Sequence, residues 1–252
     1  MEFDGRKVLV TGSTRGLGRA VAQAFLEAGA RVAINGRSAE SVGAVVAGLG
    51  SGAVAASGDI TTETGCAAIV AAALEGLGGL DVVVNNAGSG GGGPIERLDE
   101  SLWSRVIDTN MKGALFITKH ALPALRASRG SVVTVSSVGA MQGSYGSTIY
   151  SASSGGLVSM TRSMAIEFAP EVRVNAVLPG PIETEMFQAY IERDPEGPEA
   201  GRAQVAAATV LKRVASPREV ADAILYLASP RASYVTGTAM VVDGGMTAGR
   251  FA

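Results

Sequence analysis

Cysteine, histidine and tryptophan each occur once in this 252-residue chain, and lysine occurs four times. A lone Cys66 leaves no intramolecular disulfide and no cysteine metal cluster. With Ala67 and Ala68 beside it in a helical pattern, it reads as a buried apolar filler. The lone His120 argues against a His-rich site or a Ser-His-Asp triad, so no metal is expected, and His120 reads as a helix residue near Pro123. No apolar run approaches the roughly 18 residues that a membrane span needs. The opening MEFDGRKVLV enters a strand at once and lacks a signal peptide's apolar segment, so a cytoplasmic protein is expected. The net charge is −2 with no basic patch, so no nucleic-acid partner is expected.

What the chain does have is length and apolar content. Its 252 residues are 47% hydrophobic, and the mean hydropathy is slightly positive. Both suit one α/β domain whose strands are apolar on both faces. The stretch from Lys7 to Gly29 sets the pattern. Val8, Leu9 and Val10 form a strand, and Thr11-Gly-Ser-Thr-Arg-Gly-Leu-Gly18 forms a glycine turn. Leu17, Val21, Ala24, Phe25 and Ala28 then recur at helical spacing, and Gly29 ends the helix. A helix N-terminus with glycine before it lets a phosphate approach unpaired backbone N–H groups. In this strand–turn–helix setting the motif points to a dinucleotide pyrophosphate site at Gly12, Thr14, Arg15, Gly16, Leu17 and Gly18.

Arg31 to Asn35 reads as a second strand, followed by Gly36-Arg37-Ser38. A carboxylate at the end of this strand would accept from a ribose 2′-hydroxyl. Gly36 stands there instead, with Arg37 and Arg15 nearby, which favours a 2′-phosphate and therefore NADP(H) over NAD(H). Ser38 caps a helix with Val42, Val45, Val46 and Leu49 on one stripe. Ala53 to Ser57 is a third strand running to Gly58-Asp59-Ile60. Thr61 or Thr62 starts the next helix, and Leu80 to Val84 is a fourth strand leading into Asn85-Asn86-Ala87-Gly88. The β-α alternation, with no break or repeat, predicts a doubly wound parallel sheet in one domain spanning 1–252.

Ser89 to Gly93 reads as a mobile loop at the mouth of a site. Ser101 to about Leu125 reads as one long helix, with Trp103 in core or packing surface and Asn110 midway along an apolar face. A mid-helix asparagine runs against propensity, which marks it as a site candidate. Ser131 to Val135 is a fifth strand with Ser136-Ser137 at its end, and Tyr150 begins a helix through Phe168. Val172 to Leu178 is a sixth strand, closed by Pro179-Gly180-Pro181-Ile182-Glu183-Thr184. Residues 185–212 are irregular in composition and suit either a substrate lid or a surface helix. Ser216-Pro217-Arg218-Glu219 is a capping box opening a helix to about Ala228, and Thr238 to Val242 is a seventh strand.

With these motifs in order, the sequence resembles the short-chain dehydrogenase/reductase family over nearly its whole length. The motifs are the Thr11–Gly18 turn, Asn85–Gly88, Asn110, Ser137, Tyr150, Pro179-Gly180 with Thr184, and Val241-Val-Asp-Gly-Gly245. It looks most like bacterial 3-oxoacyl-acyl-carrier-protein reductases and polyketide ketoreductases. The resemblance implies a single-domain Rossmann fold with seven strands, acting on a small-molecule carbonyl or alcohol. It implies that Gly12, Gly16 and Gly18 hold the pyrophosphate, Arg15 and Arg37 the 2′-phosphate, and Asp59 and Ile60 the adenine. Asn86, Ala87 and Gly88 would border the adenosine, and Pro179, Gly180, Ile182 and Thr184 the nicotinamide side. Tyr150 would be the general acid, Ser137 would hydrogen-bond the carbonyl oxygen, and Asn110 would hold a relay water. The helices around 101–125 and 150–168 carry more apolar surface than one sheet face can cover, and the resemblance implies that they pair across a dimer. A homo-oligomer, a tetramer with D₂ symmetry, is therefore expected.

One position departs from the family. Its lysine, four residues after the tyrosine, charges the phenol and binds the nicotinamide ribose; here the turn reads Tyr150-Ser-Ala-Ser-Ser154. None of Lys7, Lys112, Lys119 and Lys212 is near in sequence. A free tyrosine has a pKa near 10, so about one molecule in a thousand is tyrosinate at pH 7. Oxidation needs that anion; reduction needs the abundant phenol. Three readings stand: an NADP(H)-linked ketoreductase impaired or adapted at Ser154, a non-catalytic dinucleotide binder or sensor, and an enzyme using Ser137 and Tyr150 for non-redox elimination or isomerisation.

Overall fold

In the computed structural model, which describes residues 1–249, short β-branched runs pair into one seven-stranded parallel sheet. The strands are β1 (Lys7–Val10), β2 (Arg31–Ile34), β3 (Ala53–Ala55), β4 (Val82–Asn85), β5 (Ser131–Val135), β6 (Arg173–Pro179) and β7 (Ala239–Val242). Their order is β3-β2-β1-β4-β5-β6-β7. The chain therefore reverses direction across the sheet between β1 and β4. That crossing leaves a crevice at the strands' carboxyl ends, the place where open α/β sheets take ligands.

Alternation along each strand feeds two cores. Val8 and Val10 point to one face, with Val32, Ile34 and Val84. There they meet Val21 and Phe25 of α1 (Gly16–Glu27), Val42 and Val45 of α2 (Ala39–Leu49), and Ile224 and Leu227 of α9 (Pro217–Ala228). Leu9, Ala33, Val83 and Val132 point to the other face. They meet Ile69 of α3 (Glu63–Leu77), Ile117 and Leu125 of α5 (Gly113–Ser128), and Phe168 of α6 (Thr148–Phe168). A sheet covered on both faces has strands apolar throughout, as the sequence shows. One domain results.

Helix starts follow their caps. Ser38 accepts from Ser41 N, Thr62 from Gly65 N, and Ser216 forms a reciprocal box with Glu219. Cys66 is fully buried, and burial pushes its thiol up to about 11. His120 lies on α5 with Nε2 3.7 Å from Glu63.

Three expectations are refined. The long helix over 101–125 is divided: α4 (Glu100–Ile107) gives way to a π-turn over Asp108–Lys112 before α5. Asn110 sits in that turn and is buried, and its amide is drawn into bonds that a regular helix would not reach. Trp103 is 51% exposed on α4, so it is not core. Residues 185–212, irregular in composition, are helical in part: they hold α7 (Glu185–Ile191), capped by Thr184, and α8 (Pro198–Ala207), with Pro198 at its start. Phe187 and Ile191 bury one face of α7, which the breaker-rich composition between the helices conceals.

No helix among the described residues is long and apolar enough to cross a membrane.

Candidate active site

The sequence-predicted residues converge on the carboxyl edge of the sheet, where β1, β4, β5 and β6 end side by side. The turn after β1 is tied to its neighbours by short polar side chains. Thr11 Oγ1 accepts from the backbone N–H groups of Asn86 and Ala87, each at 3.0 Å. Asn86 Nδ2 donates back to the carbonyls of Thr11 and Gly12. From β2's side, Asn35 Oδ1 accepts from Gly12 N at 3.1 Å, and Ser13 Oγ accepts from Asn35 N at 2.9 Å. The two loops thus approach too closely for side chains. A Cβ on Gly12 would stand 2.8 Å from Ala87 Cα, and one on Gly18 would stand 2.3 Å from the Gly12 carbonyl oxygen. Gly12 also holds a φ of +62°, which favours glycine.

This leaves a bare backbone cradle ahead of α1. Arg15 is its N-cap and gives no side-chain cap, and the first turn of α1 carries no acidic residue. The N–H groups at this end are free to meet an anion. Leu17 is turned into the core and anchors the helix beneath the cradle. Arg15 and Arg37 are both exposed, at the ends of adjacent strands, and neither forms an ion pair with a described residue. Between them the Thr14 methyl abuts Gly36: a Cβ there would lie 2.7 Å from Thr14 Cγ2. Beyond β3, Asp59 Oδ1 accepts from Thr61 N at 2.9 Å, and the buried Ile60 side chain lies against Gly113 at the start of α5. Gly88 lies beside Asn110.

The hydroxyl pair is on the other side of the crevice. Ser137 follows β5, is half-buried, and its Oγ accepts from Gly139 N at 3.1 Å. Tyr150 is half-buried in the first turn of α6. Gly139 separates them: a Cβ built there would lie 3.5 Å from Ser137 Oγ and 3.6 Å from Tyr150 Cε1. A methyl at 139 would touch both groups at ordinary van der Waals distance.

Asn110 is tied to its protein neighbours. Its side-chain amide bridges protein groups: Oδ1 accepts from Ser89 N at 2.8 Å, and Nδ2 donates to Ser89 O and to Ser153 Oγ. Ser153, fully buried, donates in turn to the Tyr150 carbonyl at 2.8 Å. The π-turn therefore braces the glycine-rich loop against the helix that carries Tyr150. Ser154 is buried too, and its Oγ donates to the same Tyr150 carbonyl at 2.9 Å. Ser136 Oγ donates to the Ser154 carbonyl at 2.9 Å.

The loop after β6 closes the edge. Pro179 ends the strand, Gly180 N donates to Val242 O, and Ile182 forms a bridge with Ala215. Thr184 Oγ1 accepts from Phe187 N and caps α7. Glu183 pairs with Arg202 of α8.

Sequence reasoning missed Thr11, Ser13, Asn35, Ser89 and Ser153. Short polar residues at strand ends and three residues after Tyr150 are a signal, but only one that the spatial pairing makes specific.

A phosphate cradle at a topological crossing, with a hydroxyl pair across the crevice, defines a dinucleotide-dependent oxidoreductase of the Rossmann class. Comparison with known proteins agrees. A family model described as enoyl-(acyl carrier protein) reductase matches residues 12–247. The 3-oxoacyl-[acyl-carrier-protein] reductase FabG of Vibrio cholerae is 36% identical over 248 residues, 98% of this chain and 99% of that protein. The cis-4-hydroxycyclohexanecarboxylate dehydrogenase of Sinomonas cyclohexanicum is 38% identical over 251 residues, 98% of each. A crystal structure of a glucose/ribitol-type short-chain dehydrogenase/reductase from Brucella melitensis superposes with a TM-score of 0.90 at 36% identity, covering 97% of this chain and 98% of that one. The chain belongs to the short-chain dehydrogenase/reductase family.

Proposed function

We propose that this protein is an NADP(H)-dependent carbonyl reductase acting on a small ketone or its secondary alcohol, in a cytoplasmic setting. The observation that carries the reading is the meeting of Ser137 Oγ and the Tyr150 ring across Gly139, on the sheet edge that also holds the bare cradle of Gly12, Gly16 and Gly18. A 2′-phosphorylated dinucleotide fits the residues present. The free N-terminus of α1 suits the pyrophosphate, and Arg15 and Arg37 suit the 2′-phosphate. The Thr14 methyl against Gly36 leaves no room for the carboxylate that would select a free ribose hydroxyl. On the other side Asp59, Ile60 and Asn86 to Gly88 would border the adenosine, with Pro179, Gly180, Ile182 and Thr184 along the nicotinamide.

Bound there, the reduced nicotinamide supplies a hydride to the carbonyl carbon. Ser137 Oγ would donate a hydrogen bond to the carbonyl oxygen and hold it in place. Tyr150 Oη would give that oxygen its proton, completing the alcohol and leaving a phenolate to be reprotonated from water. Asn110, through Ser89 and Ser153, would keep the substrate loop and α6 in fixed relation. Residues 185–212 would form the lid, since Met186 Sδ lies 3.7 Å from where a Cβ of Gly90 would stand. By their names, the two curated relatives above act on a 3-oxoacyl-carrier-protein and on cis-4-hydroxycyclohexanecarboxylate, both compatible with this chemistry.

Ser154 favours the reduction direction. A serine at 154 supplies no ammonium to stabilise the phenolate that alcohol oxidation would need. The same observation favours a second reading, a dinucleotide binder without turnover. NADPH consumption over a panel of small ketones separates the two. Turnover that falls ~10²–10⁴-fold in Tyr150→Phe supports the reductase. Cofactor binding with no consumption on any ketone supports the binder.

A further inference from the structure

The loop after β4 contains four consecutive glycines, Gly90 to Gly93, yet it is tied down at both ends. Ser89 is held by the Asn110 amide through its backbone N–H and carbonyl. Gly93 N donates to Gly146 O at 2.8 Å. Between these ties the loop packs as bare backbone. A Cβ on Gly91 would lie 2.8 Å from Leu102 Cδ1 of α4. One on Gly92 would lie only 1.8 Å from Gly146 O and 3.6 Å from Ser147 Cα. Gly92 has no positive φ, so space rather than backbone conformation requires glycine there. Across the contact Gly146 has a φ of +73°, and a Cβ on it would lie 3.4 Å from Gly93 N, Cα and C.

The Gly146 side of this contact leads straight into the helix that carries Tyr150. Ser147 follows, and its carbonyl accepts from Ser151 N at 2.7 Å at the start of α6, where Tyr150 is the third residue. We propose that the Gly92–Gly146 contact sets the spacing between the substrate loop and this first turn, which makes Gly92 a positioning residue for Tyr150. The proposal rests on the reductase reading above. It is separate from the Asn110 brace, which reaches α6 at Ser153. With a methyl at 92, the loop and the Gly146 carbonyl would have to part by more than about 1 Å to reach van der Waals contact. The loop is held by Asn110 and packed on Leu102, so part of that displacement falls on the turn before α6. A catalytic group misplaced by about 1 Å can cost on the order of 10²-fold in rate.

The test uses the full chain, Gly92→Ala, Tyr150→Phe and the two changes combined, with Gly143→Ala as control. Gly143 lies in the same segment as Gly146, and a Cβ on it meets nothing within 4 Å. NADPH consumption is followed with cyclohexanone and with the bulkier 4-tert-butylcyclohexanone. G92A is expected to lower kcat about ten- to a hundredfold on both ketones, with KM and NADPH affinity unchanged. G143A is expected to match the unaltered chain. In the Tyr150→Phe background, Gly92→Ala is expected to cost nothing further, because the group it positions is gone. Thermal unfolding shows that each variant is folded. Amide hydrogen exchange of the unaltered chain needs no variant: the Gly93 N–H is expected to be protected, and exchange at the rate of an open loop overturns the contact. An unchanged kcat in G92A, a rise in KM for the bulkier ketone alone, or a Gly92→Ala cost that persists without the phenol overturns the positioning role and leaves the reductase reading intact. If the unaltered chain binds NADPH but reduces neither these ketones nor any of the panel, the reductase reading fails and the positioning role falls with it.

Discussion

At Ser154 one side chain decides how the hydroxyl pair can work. Its Oγ is spent on the Tyr150 carbonyl one turn back, so it offers the phenol neither charge nor a hydrogen bond. Lysine at this place would put an ammonium within about 4–6 Å of the phenolate and lower its pKa by one to a few units. Ser154→Lys should therefore raise alcohol oxidation at pH 7 more than ketone reduction. The alkaline limb of the oxidation profile should move to lower pH, because the phenol then ionises earlier. Rates in both directions across pH check this. Oxidation unmoved in the variant, with cofactor still bound, would mean that another group activates Tyr150. Residues of this kind were legible in the sequence where they broke a local rule. Asn110 stood out as a polar residue in an apolar helix face, whereas Tyr150 and Ser137 broke no rule and were marked by the family resemblance. Ser153 broke no rule: a serine beside other serines looks ordinary until Asn110 is seen to donate to it.

Among the elements, caps were the clearest signal. Ser38, Thr62 and the Ser216–Glu219 box each begin a helix where their side chains satisfy an orphan N–H. Arg213 and the Ser216 backbone hold the Glu219 carboxyl far below its ordinary range, at about 2. The π-turn at Asp108–Lys112 was not legible. One residue of slack rotates the following helix without disturbing the apolar spacing on either side of it. The outward faces of these helices carry a prediction of their own. Trp103 on α4, Leu115 on α5 and Ile166 on α6 are 51%, 43% and 80% exposed. We propose that these faces pair across copies of the chain, giving a homo-oligomer with tetramer as the expected closed form. Light scattering at micromolar concentration should show four copies. A monomer there would refute the assembly.

For the whole molecule, the β-α alternation was enough to predict a parallel sheet, because parallel neighbours need crossovers and right-handed crossovers leave few arrangements. The crevice between β1 and β4 follows from that order. What alternation alone did not reveal is how the turn after β1 and the loop after β4 lock onto one another through Thr11 and Asn86. The proposed reductase depends on a 2′-phosphorylated dinucleotide at this edge. Calorimetric titration of NADPH and NADH into the same preparation, and into Arg37→Ala, tests it most directly. NADPH should bind at least tenfold more tightly, about 1.4 kcal/mol, and Arg37→Ala should erase most of that difference without weakening NADH. Equal affinities for the two cofactors, or an Arg37→Ala chain that holds NADPH as tightly as before, would contradict it.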